Sequence, residues 1–284
     1  MSLVTKTKLD YNNGENEVPK GSYRISASGV GKYFSQTRQF WGELMLGETG
    51  FTGSTASVLG TCVHYTAECV ANHGDVKQAD EKEIERYIEQ FENPENVAYD
   101  QEIDCDIIRY QWPLMARVLK EDYLNSNKPT SSEDFLYKEM LPGIGAGGSC
   151  DAIDGIVNSK GKIEFGTIVD YKTSSAKTLP TSIKFDYRLQ LLTYAWLYTQ
   201  RGHHVDKIRI VYITRNDTGR ISEKTGKPLK DYPTKVEVLT EAITSEDLQY
   251  IEGILQLISE SIDAWNNYPA CRHLLSQDQR LKQA

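Results

Sequence analysis

The chain has 284 residues, of which 39% are hydrophobic, so it is long enough to form one large domain or two small ones around a packed core. It contains no apolar run of about 18 residues, and its first 20 residues are polar, so we expect neither a membrane-spanning helix nor a signal peptide. The net charge of −8 argues against a uniformly basic surface, so any nucleic-acid binding would rely on a local concentration of basic residues.

The first half of the chain is predicted to be mainly helical. Residues 1–20 form a polar segment that we expect to be a flexible tail. After this segment, apolar residues recur at the spacing of amphipathic helices. We predict four helices, the last of them kinked near Pro113, over residues 26–47, 58–73, 78–92 and 96–125.

The pattern changes near residue 131, where strands begin to alternate with helices. Alternating and β-branched runs predict five strands, over residues 135–141, 146–157, 163–171, 207–214 and 235–239. Two further helices are predicted over residues 186–201 and 245–265. The order predicts an α/β fold in one domain, residues 21–284, with a helical part over about 21–130, a sheet core over about 131–240 and a C-terminal helix over about 245–268.

Two aspartates and a lysine lie on two of these strands, which a hairpin at residues 158–161 joins. Antiparallel neighbours hold facing side chains about 5 Å apart, so Asp151 and Asp170 are expected to share an ion. Lys172 follows Asp170 by two residues and therefore points to the same face of the sheet. Carboxylates suit Mg²⁺ or Mn²⁺, and a lysine can position or activate a water. This pattern predicts metal-assisted phosphodiester cleavage with one or two ions.

Basic residues are concentrated late in the chain, although the whole chain is acidic. The segment 215–235 carries three acidic residues and six basic ones, which are Arg215, Arg220, Lys224, Lys227, Lys230 and Lys235. Its charge is therefore +3. Two interpretations stay open at this point, a solvated surface and a nucleic-acid contact.

Four short motifs together resemble those of the PD-(D/E)XK nucleases, and most closely the RecB-type and phage-type exonuclease branch. In chain order they are Leu59-Gly60-x-x-Val63-His64, Gly148-x-x-Asp151, Asp170-x-Lys172 and Gln190-x-x-x-Tyr194. They extend over roughly residues 21–214. The resemblance implies a restriction-endonuclease-like core, in which a central mixed β-sheet is flanked by helices, with an N-terminal helical region.

The resemblance also implies roles for individual residues. His64, Asp151, Asp170 and the backbone carbonyl of Tyr171 are expected to bind metal, and Asp151, Asp170, Lys172, Gln190 and Tyr194 to form the catalytic group. Gln190 and Tyr194 either contact DNA or brace the lysine. Lys184 and Arg188 flank this helix face and are expected phosphate contacts. Two further acids, Glu68 and Glu139, are weaker candidates for the site. Alternatively, His64 is structural and Lys172 forms a surface ion pair.

Some RecB-type nucleases carry an iron–sulfur cluster bound by one early and three late cysteines. Only Cys271 lies late in this chain, so we expect no cluster. The cysteines show no C-x-x-C pairs, which is typical of a protein of the reducing cytoplasm, here of a bacterium or a phage-infected cell.

These observations favour a Mg²⁺- or Mn²⁺-dependent deoxyribonuclease, and among such enzymes an exonuclease that acts on ends of duplex DNA. The resemblance implies 5′-phosphate products and a role in phage-type recombination or repair. It also suggests a single-strand annealing recombinase as a partner and a homo-oligomeric form. The alternatives are a structure-selective endonuclease or nickase of the same fold, a catalytically silent DNA-binding module, and RNA as the substrate.

Overall fold

The computed structural model describes residues 18–46, 53–92, 103–175, 177 and 179–268. Its strands are β1 (Tyr23–Ser26), β2 (Ser131–Leu141), β3 (Ile144–Val157), β4 (Ile163–Ser175), β5 (Val205–Arg215) and β6 (Val236–Ala242). Its helices are α1 (Ala27–Ser35), α2 (Thr37–Trp41), α3 (Thr55–His73), α4 (Gln78–Glu89), α5 (Cys105–Leu119), α6 (Phe185–Thr199) and α7 (Ser245–Asn267). Two π-helical turns, Gly42–Leu46 and Lys120–Leu124, continue α2 and α5.

The six strands form one mixed sheet with β3 as its branching point. The first half of β3 pairs in parallel with β1, β2 pairs with β3 in antiparallel fashion, and the second half of β3 pairs antiparallel with β4. β5 then lies parallel to β4, and β6 lies antiparallel to β5. The predicted central mixed sheet flanked by helices is therefore confirmed.

Both faces of the sheet are covered, because the central strands carry apolar side chains in both directions. On β5, Ile210 belongs to the hydrophobic cluster that α1, α6 and α7 complete, whereas the next residue, Val211, belongs to the cluster that α3, α4 and α5 complete. Successive residues of a strand point to opposite faces, so β5 contributes to both cores. A central strand buried on both sides holds its residues rigidly, which suits a strand that positions chemistry.

The first element of the fold is a strand, β1, which the helical periodicity of this region did not indicate. The helix predicted over residues 26–47 is preceded by β1 and is divided into α1, α2 and a π-helical turn. Ser26 ends β1 and caps α1, because its Oγ accepts a hydrogen bond from the amide of Gly29 at 3.0 Å. A strand of four residues has too short a pattern to recognise, and its partner lies about 120 residues away in β3.

The later elements lie close to their predicted positions. β2, β3 and β4 each extend beyond the predicted bounds at one end or both, and the predicted kink site, Pro113, lies inside α5. Most of the predicted tail, and residues 96–102 of the fourth predicted helix, lie outside the described residues. Within the described part of the chain, no helix combines the length and apolarity needed to cross a bilayer.

Arg188 joins three elements on one side of the sheet. It lies on α6 and forms ion pairs with Glu241 of β6 at 3.2 Å and with Asp247 of α7 at 2.8 Å. Its hydrogen bond lowers the pKa of Asp247 below the ordinary value. The charge that the sequence predicts to contact phosphate is thus already paired with two carboxylates of the chain itself.

We predict that Arg188→Met lowers the free energy of unfolding by about 1–2 kcal/mol at neutral pH, because it leaves two partly buried carboxylates without their cation. The pKa of Asp247 is lowered in the folded state, so its contribution is complete above about pH 4 and is lost as the pH falls through the lowered pKa. Urea unfolding at several pH values measures both effects. Unchanged stability together with weaker DNA binding would instead return Arg188 to the set of phosphate contacts.

Candidate active site

Helix α3 brings His64 to the sheet. Ser54 and Ser57 form a capping box at its start, and Leu59 and Val63 are buried beneath the helix. Gly60 faces β4, where a Cβ would lie at an ordinary van der Waals distance of 3.5 Å from the Oγ1 of Thr173. The Leu-Gly-x-x-Val-His motif therefore consists of two buried apolar residues, a glycine that faces β4, and a histidine one turn further on.

His64 forms an ion pair with the first predicted carboxylate. Its Nδ1 lies 3.3 Å from Oδ2 of Asp151, and the same Oδ2 accepts a hydrogen bond from the backbone amide of Tyr171 at 2.9 Å. Burial disfavours the charged imidazolium, but the negative charge of Asp151 outweighs this and raises the pKa of His64 to about 9. Burial likewise opposes ionisation of Asp151, yet His64 lowers its pKa below the ordinary value.

Asp170 is buried and is held by two side chains. Its side chain lies 2.9 and 2.7 Å from the Nζ of Lys172, through Oδ1 and Oδ2 respectively. Gln190 of α6 donates a second hydrogen bond to Oδ1 at 2.9 Å. Burial raises the pKa of Asp170 to about 6, and the neighbouring charge of Asp151 acts in the same direction, while Lys172 opposes both. Burial disfavours the charged lysine, but Asp170 raises the pKa of Lys172.

The two aspartates occupy matching positions on paired strands. Ala152 pairs with Val169, one residue inside each aspartate, so Asp151 and Asp170 lie at the same level of the antiparallel β3–β4 pair. The charge of Asp151 contributes to raising the pKa of Asp170, and Lys172, the partner of Asp170, contributes to lowering the pKa of Asp151. Asp151 and the Asp170–Lys172 pair are therefore close enough to influence one another electrostatically, and their roles in metal binding and catalysis stay predictions.

A third carboxylate, Glu133 on β2, was not among the predicted site residues. It lies between the pairs Ser132–Ala152 and Asp134–Cys150, and so stands beside Asp151. Its φ of 55° is a left-handed conformation that costs a non-glycine residue about 1–2 kcal/mol, and such irregularities in strands recur next to active sites. Ligand atoms of His64, Glu133 and Asp151 all lie within 4.8 Å of one another.

The register of β2 explains why Glu133 is in the site and Glu139 is not. Both residues have the same parity on β2, so alternation does not separate them. Glu139 lies at the far end of β2, where its Oε1 accepts a hydrogen bond from the amide of Gly143 at 2.9 Å. A bulge between Glu139 and Leu141 shifts this register by one residue, so counting back from Asp151 across the turn at residues 142–143 leads to Asp134 and not to Glu133.

The donor set fits a divalent cation. One imidazole nitrogen and two carboxylate oxygens converge within 4.8 Å. Hard ions such as Mg²⁺ and Mn²⁺ prefer oxygen ligands, and Mn²⁺ accepts an imidazole nitrogen more readily than Mg²⁺ does. Asp170, also predicted from the sequence to bind metal, is not in this group, and its carboxylate is held instead by Lys172 and Gln190. Glu68, one turn beyond His64 on α3, is not in the group formed by His64, Glu133 and Asp151.

An open cleft of about 470 Å³ leads to these groups. Its lining includes Arg24, Ser28, His64, Glu133, Asp151 and Tyr194. Tyr194 requires the glycine of the Gly-x-x-Asp motif, because a Cβ at Gly148 would lie 3.2 Å from the phenol oxygen. The glycine thus lets α6 approach β3, and this contact sets one wall of the cleft.

Two lysines flank the ring of Tyr187 beside the site. The Nζ of Lys172 lies 5.1 Å from the ring centroid, and the Nζ of Lys184 lies 5.8 Å from it. Lys184 and Lys172 therefore share one aromatic neighbour, and the expected phosphate contact of Lys184 stays a prediction. The side chain of Tyr171 is buried against Tyr123 on the opposite side of the sheet from α6.

The chain belongs to the PD-(D/E)XK nuclease superfamily, whose family model matches residues 24–273. This match confirms the family resemblance of the sequence motifs. No curated protein sequence shows a significant match.

Solved structures with a similar fold include three proteins described as exonucleases. A candidate exonuclease from Eubacterium rectale is 17% identical, with 88% of this chain and 82% of that chain covered and a TM-score of 0.49. The alkaline exonuclease LHK-Exo of Laribacter hongkongensis is 12% identical, with 77% and 97% covered and a TM-score of 0.35. A phage-related exonuclease of Haemophilus somnus is 11% identical, with 71% and 94% covered and a TM-score of 0.31. At this distance these neighbours say nothing further about the chemistry of this chain.

We predict that Glu133→Gln weakens Mn²⁺ binding about tenfold or more, because it removes a charged oxygen from the converging group. Glu139→Gln is the matched control on the same strand and should bind Mn²⁺ as the unchanged protein does. Isothermal titration calorimetry measures both affinities without any substrate. Equal affinities in the two variants would show that Glu133 is not a ligand.

Proposed function

We propose that this protein is a metal-dependent deoxyribonuclease, and specifically an exonuclease that works from the ends of duplex DNA and leaves 5′-phosphate products. The observation that carries the proposal is the meeting of Asp170, Lys172 and Gln190 with the converging donors of His64, Glu133 and Asp151 beside one open cleft. This arrangement provides metal ligands and a phosphate-facing cation together.

A divalent ion bound by these donors supplies Lewis acidity, which activates a water and stabilises charge on the phosphoryl oxygens. In the hydrolysis, a water oxygen forms a bond to phosphorus and the bond to the 3′-oxygen breaks. The departing 3′-oxygen takes up a proton, and the phosphate remains on the 5′ side. The part of the protein is to hold ligands, water and phosphate in line.

Lys172 supplies a fixed positive charge at the reacting phosphate. Its raised pKa keeps the ammonium protonated, so its proposed role is to donate a hydrogen bond to the attacking water or to a phosphoryl oxygen. Asp170 restricts the position of this ammonium, and Gln190 in turn restricts Asp170. Gln190 is therefore a positioning residue that acts through Asp170.

Further cations lie in the cleft or beside Lys172 and favour a polyanionic substrate. Arg24 lines the cleft, and Lys184 lies beside Lys172 across Tyr187. We propose both as contacts to phosphates that flank the cleaved bond. Arg188 is not included, because Glu241 and Asp247 already balance its charge. Tyr194, in the wall of the cleft, is proposed to pack against the substrate.

The biological setting follows only from the family resemblance. We propose a role in recombination or repair in the cytoplasm of a bacterium or a phage-infected cell, with a single-strand annealing recombinase as partner. A homo-oligomer is proposed on the same ground. Native mass spectrometry of the purified protein tests the oligomer, and only monomer would contradict it.

We predict that the protein degrades end-labelled linear duplex DNA with Mg²⁺ or Mn²⁺, and that Lys172→Ala reduces the rate by about 10²-fold or more, because the fixed charge at the phosphate is lost. Lys160→Ala, in the exposed β3–β4 hairpin, is the matched control and should retain the rate. Time courses with a label at either the 5′ or the 3′ end measure both rates and the polarity.

Three results would contradict parts of this proposal. Cleavage of covalently closed circular DNA at the same rate as linear DNA would make the protein an endonuclease. Equal activity of Lys172→Ala and the unchanged protein would remove the lysine from the mechanism. Digestion of RNA in preference to DNA would change the substrate class.

A further inference from the structure

The basic segment 215–235 of the acidic chain forms an ordered arm. We call it the basic arm. Its two halves pair in antiparallel fashion at Asp217–Tyr232 and at Ile221–Pro228, and the amide of Leu229 donates to the carbonyl of Arg220 at 2.8 Å. A turn at the tip closes with a hydrogen bond from the amide of Gly226 to the carbonyl of Ser222 at 2.8 Å. The arm is therefore a hairpin with a defined shape rather than a loosely held loop.

The basic arm leaves the sheet at the C-terminal end of β5, next to the end of β4 that carries Asp170 and Lys172. β4 carries Asp170 and Lys172 and runs parallel to β5, with Ser175 paired to Arg215. The arm thus begins three residues beyond the level of Lys172, or about 10 Å along the strand. Lys177, just after β4, forms an ion pair with Asp217 at 3.2 Å, which ties the base of the arm to the catalytic strand.

The acidic residues near the base of the arm already have partners, and several of its lysines do not. Asp217 pairs with Lys177 and also with Arg220, at 2.8 Å, and Asp231 accepts a hydrogen bond from the amide of Gly219 at 2.8 Å. Lys235 is paired with Glu237. Three other lysines of the arm are Lys224, Lys227 and Lys230. Among the residues that the structure describes, no carboxylate lies within ion-pair distance of any of these three.

The arm also forms one side of a groove. A cavity of about 450 Å³ at its base is lined by Lys177, Leu179, Lys230, Tyr232, Pro233 and Lys235. The Nζ of Lys230 lies 5.3 Å from the ring centroid of Tyr232. Lysines around an aromatic ring suit a phosphate-and-sugar backbone, because the cations bind phosphates while the ring packs on the sugar edge.

The charge balance selects the partner. The basic arm carries +3 in a chain of −8, so the remaining residues sum to −11. Such a molecule repels a polyanion everywhere except where cations are concentrated. The arm begins about 10 Å beyond the level of Lys172, and DNA rises about 3.4 Å per base pair along each strand. Its base is therefore offset from the candidate active site by about three base pairs.

We propose that the basic arm binds the phosphate backbone of duplex DNA several base pairs away from the bond being cleaved. The proposal rests on the deoxyribonuclease function proposed above, and it assigns to this segment a share of the substrate binding that the catalytic cleft alone does not provide. Contacts of this kind carry no sequence information, so the arm holds any duplex while its end is processed.

The test measures how binding depends on salt in the Lys172→Ala background without added divalent metal, so that the DNA stays intact. Arm variants carry Lys224→Gln, Lys227→Gln and Lys230→Gln together, or Lys224→Gln alone. The control variant carries Lys160→Gln, Lys162→Gln and Lys207→Gln. These substitutions remove the same charge at the opposite ends of the strands, where β4 and β5 begin. Fluorescence anisotropy with a duplex of about 30 base pairs is recorded over roughly 50–200 mM salt.

We expect the slope of log affinity against log salt to become shallower by about two to three in the triple arm variant and by about one in Lys224→Gln, with no change in the control. Equal slopes in the arm and control variants would overturn the proposal, whether both change or neither does. Thermal unfolding of each variant confirms that the exposed substitutions leave the fold intact.

The two proposals fail separately. If the unchanged protein digests linear duplex DNA but the arm variants keep the full slope, the nuclease function stands and the arm has no part in binding. If the slope falls as expected but the unchanged protein digests no DNA, the arm stands as a DNA-binding surface and the nuclease function is lost.

Discussion

The buried carboxylate of Asp170 is the constraint on which the rest of the site depends. Its 2% exposure takes a charge out of water, which is unfavourable unless hydrogen bonds and an opposite charge compensate. Lys172 provides the charge from the same strand, and Gln190 provides a hydrogen bond from α6. α6 must therefore pack against the end of β4, and Lys172 is restricted by the same contacts that compensate the burial of the aspartate.

The other candidate ligands reach this point from elements that are far apart in the chain. α3 brings His64, β2 brings Glu133 through a strained backbone, and β3 brings Asp151 opposite Asp170. Gly148 leaves room for Tyr194 of α6, because a Cβ there would lie 3.2 Å from the phenol oxygen. The site is therefore built by packing helices on both faces of one sheet, and the strain at Glu133 is the sort of local cost that folds tolerate at functional positions.

Electrostatics divides the molecule into regions with different tasks. Carboxylates dominate the composition and gather at the ligand group, where a bound cation would balance them. Lysines are concentrated around Tyr187 and along the basic arm, and Arg24 lines the cleft. An acidic protein can thus bind a polyanion, because screening in solution limits the repulsion from distant charges to about one Debye length, near 8–10 Å.

The sequence by itself determined the elements with long periodic patterns and the identity of the motif residues. β3, β4, β5 and α6 were predicted from periodicity, and the spacing of Asp170 and Lys172 determined that both face one side of the sheet. Family membership also followed from the motifs. These features depend on local geometry, which repeats every two residues in strands and every 3.6 in helices.

Only the tertiary structure decided which side chains meet across long separations. β1 is too short to show a period and is recognised only by its pairing with β3. Glu133 and Glu139 look alike in sequence, and the register of β2 against β3 places one beside Asp151 and the other at a turn. The sequence predicted Arg188 as a phosphate contact, whereas in the structure it is paired with Glu241 of β6 and Asp247 of α7. Such pairings depend on how distant segments pack, and no local pattern in the chain encodes them.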